Sequence, residues 1–243
     1  MAAPKALRIL HSAFLMVWAI VTTVLFTLFI YIVRPFSYAL AFGTCKAWNV
    51  LLLLLCGVRL DVSGLEKIER GRNYIFMSNH LSALDISILY YALPFRITFM
   101  AKRELFMIPV FGWALAVTRH IPVDRSSPRR AGRAVNRAVA NLKNLRGSLM
   151  VFPEGTRSRT GELGAFKLGV FSIAVDAGVP IIPVAIQGSR EILPRGSYLI
   201  NPSRVTVRIG GAVSTSGFTR KSKAALAAVV RDHLEDLLSG KRA

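Results

Sequence analysis

Twenty-two consecutive residues, Ser12 to Val33, carry no charge, and the run is closed by Arg34-Pro35. As a helix this run is about 33 Å long, enough to cross the hydrocarbon layer of a bilayer. A second apolar stretch, Trp48 to Leu60, is broken only late by Gly57 and Arg59, and Lys46 is the only charge between Ala39 and Gly57. Two helices joined near Arg34-Pro35 either cross twice or enter one leaflet and return as a hairpin. Lys5, Arg8, Arg34 and Lys46 flank them too evenly for the distribution of positive charge to choose. Lys5 and Arg8, with Ala39-Leu40-Ala41 as a loose cleavage site, also suggest a signal peptide. The apolar run is longer than such signals use, so the segment is expected to be retained. Residues 1–59 are therefore expected to anchor the chain to a membrane, and residues 60–243 to form a globular body.

The chain of 243 residues is long enough for one such body with a real core. Its formal charge of +19 draws it to polyanions. Fourteen Lys or Arg against four acids lie between Arg96 and Lys167. Beside an apolar N-terminus, that concentration reads as a surface facing the phosphate headgroups of membrane phospholipids. Zinc-finger spacing and RNA-binding aromatic signatures are missing from the sequence, so nucleic acid is not an expected partner. Cys45 and Cys56 stand in apolar surroundings and supply neither a disulfide framework nor a metal cluster, so no metal site is expected.

Beyond Leu60 short apolar segments alternate with Gly, Pro and charge. Strands are expected at Asn73 to Ser78, Arg96 to Ala101, His120 to Val123, Leu149 to Phe152, Ile181 to Ile186 and Val205 to Ile209. Helices are expected from Ser82 through Tyr90, between Glu104 and Val117 with a break at Pro109 and Gly112, and from Phe166 to Asp176. Ser127-Pro128 reads as an N-cap followed by a first-turn proline, with Val135, Val139, Leu142 and Leu145 at helical spacing behind it. Arg129, Arg130, Arg133 and Arg137 crowd the other faces of that helix. Ala224 to Leu238 closes the chain as an amphipathic helix. Strands separated by helices predict an α/β fold: a layered domain with a mostly parallel or mixed sheet flanked by helices. No phosphate-binding glycine loop follows a strand.

Asn79-His80-Leu81-Ser82-Ala83-Leu84-Asp85 follows the first of these strands directly. Ser82 and Asp85, three apart, have the form of a capping box, with Asp85 in the first helical turn and His80 just ahead of it. A histidine at a strand end is well placed to act. Asp85 is suited to hold one ring nitrogen and leave the other as a general base. The spacing alone equally suits a simple helix cap beside a satisfied histidine. Ser82 sits at the cap, and no GxSxG elbow exists, which argues against a serine hydrolase.

Phe152-Pro153-Glu154-Gly155-Thr156-Arg157-Ser158-Arg159 follows another strand. Such a turn sets charged groups and backbone donors against a phosphate, with Arg157 suited to bidentate contacts, or it is a solvated charged loop. Lys102 and Arg125 each follow a strand and are candidates to converge with Arg157 on an anion. Val179 to Ile186 reads as a core strand bounded by Pro180 and containing Pro183.

In order, NHLSALD at 79–85, KRELFMIPVFGWALAVTRHIPVDR at 102–125, FPEGTRSR at 152–159 and VPIIPVA at 179–185 resemble the lysophospholipid and glycerol-phosphate acyltransferase family. Within that family the likeness is strongest to 1-acyl-glycerol-3-phosphate acyltransferases. The resemblance implies that His80, oriented by Asp85, deprotonates the free hydroxyl of lysophosphatidic acid for attack on an acyl thioester, and phosphatidic acid results. It further implies that Lys102, Arg125, Glu154, Gly155, Thr156 and Arg157 hold the phosphate-bearing acceptor. Val179, Pro180, Ile181, Ile182, Pro183 and Val184 would line or support the acyl region. The donor would be acyl-CoA or acyl carrier protein, with no tightly bound cofactor. The bacterial inner membrane, with the body on the cytoplasmic side, is the implied location. Arg119 stands where the family more often has a small residue, commonly Gly. An arginine there suits either a different acidic headgroup on the acceptor side or a harmless surface location.

Glycerol 3-phosphate, a lyso-aminolipid or another lysophospholipid are the competing acceptors. A non-enzymatic adaptor for anionic lipids would need the apolar N-terminus and the basic helix but not His80.

Overall fold

The computed structural model of the chain describes residues 4–124, 126, 128–144, 147–194 and 196–241. In chain order the helices are α1 Lys5–Val33, α2 Tyr38–Leu55, α3 Asp85–Ala92, α4 Phe111–Val117, α5 Pro128–Asn144, α6 Gly169–Ala177, α7 Ser189–Ile192 and α8 Lys223–Leu238. The strands are β1 Arg59–Ser63, β2 Ile75–Ser78, β3 Ile97–Lys102, β4 Ile121–Val123, β5 Ser148–Val151, β6 Ile181–Gln187 and β7 Arg204–Ile209.

The strands form one seven-stranded sheet in the order β1-β7-β6-β2-β5-β3-β4. Only the β6–β7 pair is antiparallel, so the sheet is mixed, and five neighbouring strands from β6 to β4 run parallel. Every residue of β2 and β5 is buried. Strands covered on both faces read as continuous apolar runs, which is why IFMS and SLMV show no alternation. Phe76, Met150 and Ile182 turn to a core shared with Phe42, Leu53, Ile88 and Leu89 of α2 and α3. Ile75, Met77, Leu149 and Val151 turn to the opposite core, with Ala138 of α5, Phe171 of α6 and Leu226 and Val230 of α8. The result is a sheet layered between helices, as the alternation of elements predicts.

The two apolar N-terminal stretches form α1 and α2, each long and apolar enough to cross a membrane. They pack on one another with Trp18 and Trp48 stacked at 6.5 Å. The second stretch does not end where its hydropathy does. α2 stops at Leu55, Gly57 takes φ +67°, and Leu60 already belongs to β1, a strand the apolar pattern conceals. The break expected between Glu104 and Val117 is a 3-10 turn, Arg103–Met107, followed by α4. Ser127, Leu145 and Arg125 lie outside the described residues.

Candidate active site

The parallel strands end at a common edge, and their order decides what meets there. β2 and β5 are neighbours, with Met77 opposite Val151. Three residues beyond that pair, His80 and Glu154 are brought level. The NHLSALD loop and the FPEGTRSR turn, which begin 73 positions apart at Asn79 and Phe152, thus become adjacent. Lys102 at the end of β3 and Asp124 beyond β4 follow along the same edge.

His80 Nδ1 lies 2.7 Å from Asp85 Oδ2. The same oxygen accepts the backbone N–H of Leu81 at 2.7 Å and of Ser82 at 2.8 Å. Asp85 is fully buried, whereas the His80 side chain retains 16% exposure. A carboxylate only accepts, so Nδ1 carries a proton and Nε2 presents its lone pair. Among the described residues Nε2 has no hydrogen-bond partner. The buried charge is balanced by three converging N–H donors, while Asp85 Oδ1 has none among the described residues. Half of the expected capping box is present, because Asp85 reaches back to Ser82 N–H. The other half is not: Ser82 Oγ accepts from Leu84 at 3.3 Å and donates to the Leu193 carbonyl at 3.0 Å. Asp85 is held by its loop and His80 as well as by the helix it begins.

The ring and backbone of His80 are fixed from the neighbouring loop. Its imidazole stacks on Phe152, centroids 3.9 Å apart and planes 13° from parallel. Its N–H donates to Glu154 Oε1 at 3.0 Å, and its carbonyl accepts from Ser158 N–H at 2.7 Å. Glu154 Oε2 accepts from Gly164 N–H at 2.9 Å. Asn79 bonds both backbone groups of Ile186 at 2.8 Å, tying the loop to β6 as well.

Of the remaining candidates, Gly155 takes φ +72° and gives its N–H to the Phe152 carbonyl, so it shapes the turn. Thr156 is exposed and Arg157 half-buried on that turn. Lys102 is largely exposed and pairs with Glu104 at 3.5 Å. Asp124, gripped by Arg103 at 3.1 Å and Arg130 at 3.0 Å, fixes the segment leading to position 125. Val179, Pro180, Ile181, Ile182, Pro183 and Val184 lie at and along the start of β6, the strand-start edge, and all but Val179 are buried. The structure thus brings His80, Asp85, Glu154, Gly155, Thr156, Arg157 and Lys102 to one edge, and the first residues of β6 to the other. Phe152 and Asn79 are site residues that the motifs contain without disclosing their roles. Their partners depend on strand order, which local spacing does not carry.

The family model described as Acyltransferase matches residues 59–187 of the chain. A 1-acyl-sn-glycerol-3-phosphate acyltransferase of Saccharomyces cerevisiae is 33% identical over 197 residues, 80% of this chain and 65% of that protein. A protein of the same description from Pseudomonas aeruginosa is 32% identical over 174 residues, 71% of this chain and 66% of that protein. The chloroplastic enzyme BAT2 of Brassica napus is 38% identical over 153 residues, 62% of this chain and 44% of its own length. The chain therefore spans less than two thirds of these relatives. The crystal structure of the 1-acyl-sn-glycerophosphate (LPA) acyltransferase PlsC from Thermotoga maritima superposes with a TM-score of 0.82 at 28% identity, covering 96% of this chain and 97% of that one.

Proposed function

Because this chain belongs to the acyltransferase family, we propose that it moves a fatty acyl group from a thioester to the free hydroxyl of 1-acylglycerol 3-phosphate, giving phosphatidic acid. The observation that carries this reading is the buried Asp85 holding His80 Nδ1 at 2.7 Å with Nε2 open to the site. The hydroxyl proton passes to Nε2 as the oxygen attacks the thioester carbonyl. Asp85 stabilises the imidazolium that forms. Collapse of the tetrahedral species breaks the C–S bond, and the proton returns from His80 to the departing sulfur. Acyl-CoA or an acyl carrier protein supplies the thioester.

Arg157, Thr156 and Lys102, with Arg125 by resemblance, are the groups we assign to the acceptor phosphate. Glu154 and Gly155 serve it indirectly by fixing the turn. Residues 179–184 support the acyl region as the start of the strand to which Asn79 is tied.

The hairpin places this chemistry at a bilayer surface. Near its start α1 meets the body through Ser12 Oγ, which accepts Ile200 N–H at 2.9 Å, and through Arg8 and Asn201. Near its end Tyr31 packs edge-on against Trp113 of α4 at 6.4 Å. Those contacts are about 28 Å apart along the helix axis. A helix held to one body at both ends lies along it, which favours a hairpin within one leaflet over two crossings. Phe14, Val17, Ile20 and Leu28 are exposed for lipid. Residues 1–59 are on this reading the anchor and 60–243 the catalytic body, facing the cytoplasm in a bacterial inner membrane.

The test is a panel of acceptors offered with one acyl-CoA to the full chain in mixed micelles. Lysophosphatidate is expected to be acylated and glycerol 3-phosphate, lyso-aminolipids and other lysophospholipids to lag. His80→Ala should keep membrane association and lose transfer. Rapid turnover of another acceptor without lysophosphatidate turnover would overturn the acceptor, and full activity of His80→Ala would overturn the base.

A further inference from the structure

Arg119 is not on the acceptor side. It precedes β4, at the strand-start edge, whereas His80 follows β2 at the opposite one. Its φ of +64° is in the left-handed region that favours glycine, so the backbone is strained by carrying a side chain at all. That side chain reaches to the hairpin, where its guanidinium carbon lies 4.6 Å from the Tyr38 ring centroid. Arg34, in the hairpin turn, lies 5.4 Å from the same ring.

Tyr38, Arg96, Arg119 and Asn141 line a narrow recess. A second recess shares Arg119 and Asn141 and adds Arg137. Neither lining contains a carboxylate. Among the described residues Arg34, Arg96, Arg119 and Arg137 form no ion pair. The buried Nε of Arg34 has no hydrogen-bond partner among them either. Guanidinium groups gathered without an acid repel one another, and an anion between them reverses the sign of that energy. Retained backbone strain at such a point suggests that the side chain has a task.

The recess lies beneath the hairpin turn, where Phe36 is 87% exposed beside the apolar surface of α1 and α2. The apolar surface beside it favours a lipid headgroup over a soluble ion as the source of the anion. We propose that Arg34, Arg96 and Arg119, around Tyr38, form a second phosphate site that binds the headgroup of an anionic membrane phospholipid and holds the turn end of the protein at the bilayer surface. It is separated from the His80 edge by the length of the parallel strands and does not depend on which acceptor His80 serves.

The experiment uses the full chain in neutral-detergent micelles and follows Tm against dioctanoyl phosphatidylglycerol, dioctanoyl phosphatidylcholine and inorganic phosphate at matched ionic strength. Phosphatidylglycerol is expected to raise Tm by mass action. Arg119→Gly and Arg96→Gln should each weaken that binding about tenfold or more, as expected for loss of a charge-assisted contact. Arg119→Gly also relieves the strain, so its Tm without lipid should not fall. Arg157→Ala should keep the phosphatidylglycerol response. An unchanged response in both Arg119→Gly and Arg96→Gln would overturn the site, as would its loss in Arg157→Ala alone. An equal response to inorganic phosphate or to phosphatidylcholine would overturn the anionic-lipid assignment.

Discussion

The N–H of His80 donates to Glu154 Oε1 at 3.0 Å, so the residue read as the base takes its backbone position from the neighbouring loop. The second oxygen holds Gly164 N–H at 2.9 Å. A Cβ at Gly164 would stand only 2.9 Å from that oxygen, so the approach also needs glycine there. Glu154→Gln keeps the shape but turns an NH2 toward one of two partly buried backbone donors. It should cost about 1–3 kcal/mol in urea unfolding for the unsatisfied group. It should also lower kcat about tenfold through misplacement of His80. A raised KM for the acceptor with kcat and stability intact would show instead that Glu154 contacts the acceptor.

Asp85→Asn tests the partner of the ring. Its amide still offers an oxygen to Leu81 and Ser82 N–H, so the loop should keep its fold. The negative charge that steadies the imidazolium is gone, while the NH2 takes the place of Oδ1, which has no partner among the described residues. Turnover should fall about 10²–10⁴-fold, the range for loss of general-base catalysis, with little change in KM. Retention of more than half the wild-type kcat would remove Asp85 from the mechanism.

How much of this was legible in the sequence depended on distance along the chain. NHLSALD discloses the His80–Asp85 pair because five residues span a strand end and a first helical turn. The layered α/β class follows from alternating elements. The family resemblance groups Glu154 with the phosphate-binding residues Gly155, Thr156 and Arg157. Its partners are His80 and Gly164, and the β2–β5 register that makes His80 its neighbour is a non-local property. The apolar stretch from Trp48 to Leu60 runs across the end of α2 and into β1 because hydropathy does not distinguish the end of a helix from the beginning of a strand. The sequence leaves Arg119 open between the acceptor side and a surface location because its block also contains Lys102 and Arg125, and only the strand order shows that it stands at the start of β4.

His120 gives the fold a pH dependence. Its Nδ1 accepts Phe99 N–H at 3.4 Å, and Nε2 meets Tyr90 Oη at 3.2 Å. Burial pushes the imidazole down to about 4 from its ordinary 6.5. The unfolded chain therefore takes up the proton first. This contribution to stability is fully present above pH 6.5 and is lost as the pH falls toward 4, by about 3 kcal/mol. Urea unfolding from pH 7.5 to 4 should show that loss, and in His120→Gln it should shrink by the same amount. An identical pH slope in the two proteins would mean that His120 charges freely in the folded state.

The segment joining β3 to α4 stores strain at Val110. Its φ of +65° and ψ of −58°, with Phe111 N–H on the Pro109 carbonyl at 2.7 Å, make a classic-hand γ-turn, the uncommon and strained form. A β-branched residue suits that region poorly. Two positions on, Gly112 is needed for a different reason, since a Cβ there would collide with the Phe106 carbonyl. Val110→Gly should therefore raise stability by about 1 kcal/mol, strain relief outweighing the flexibility added to the unfolded chain. Gly112→Ala should lower it by a similar or larger amount. The turn also sets Met107, Ile108 and Trp113 outward, with exposures of 71%, 47% and 50%, beside the lipid-facing surface of α1. If the strain serves to present these side chains, Val110→Gly should lose initial rate on vesicle-borne acceptor while keeping its rate on acceptor in micelles. Equal rates on both, with stability raised, would leave the turn a packing compromise without a role in membrane contact.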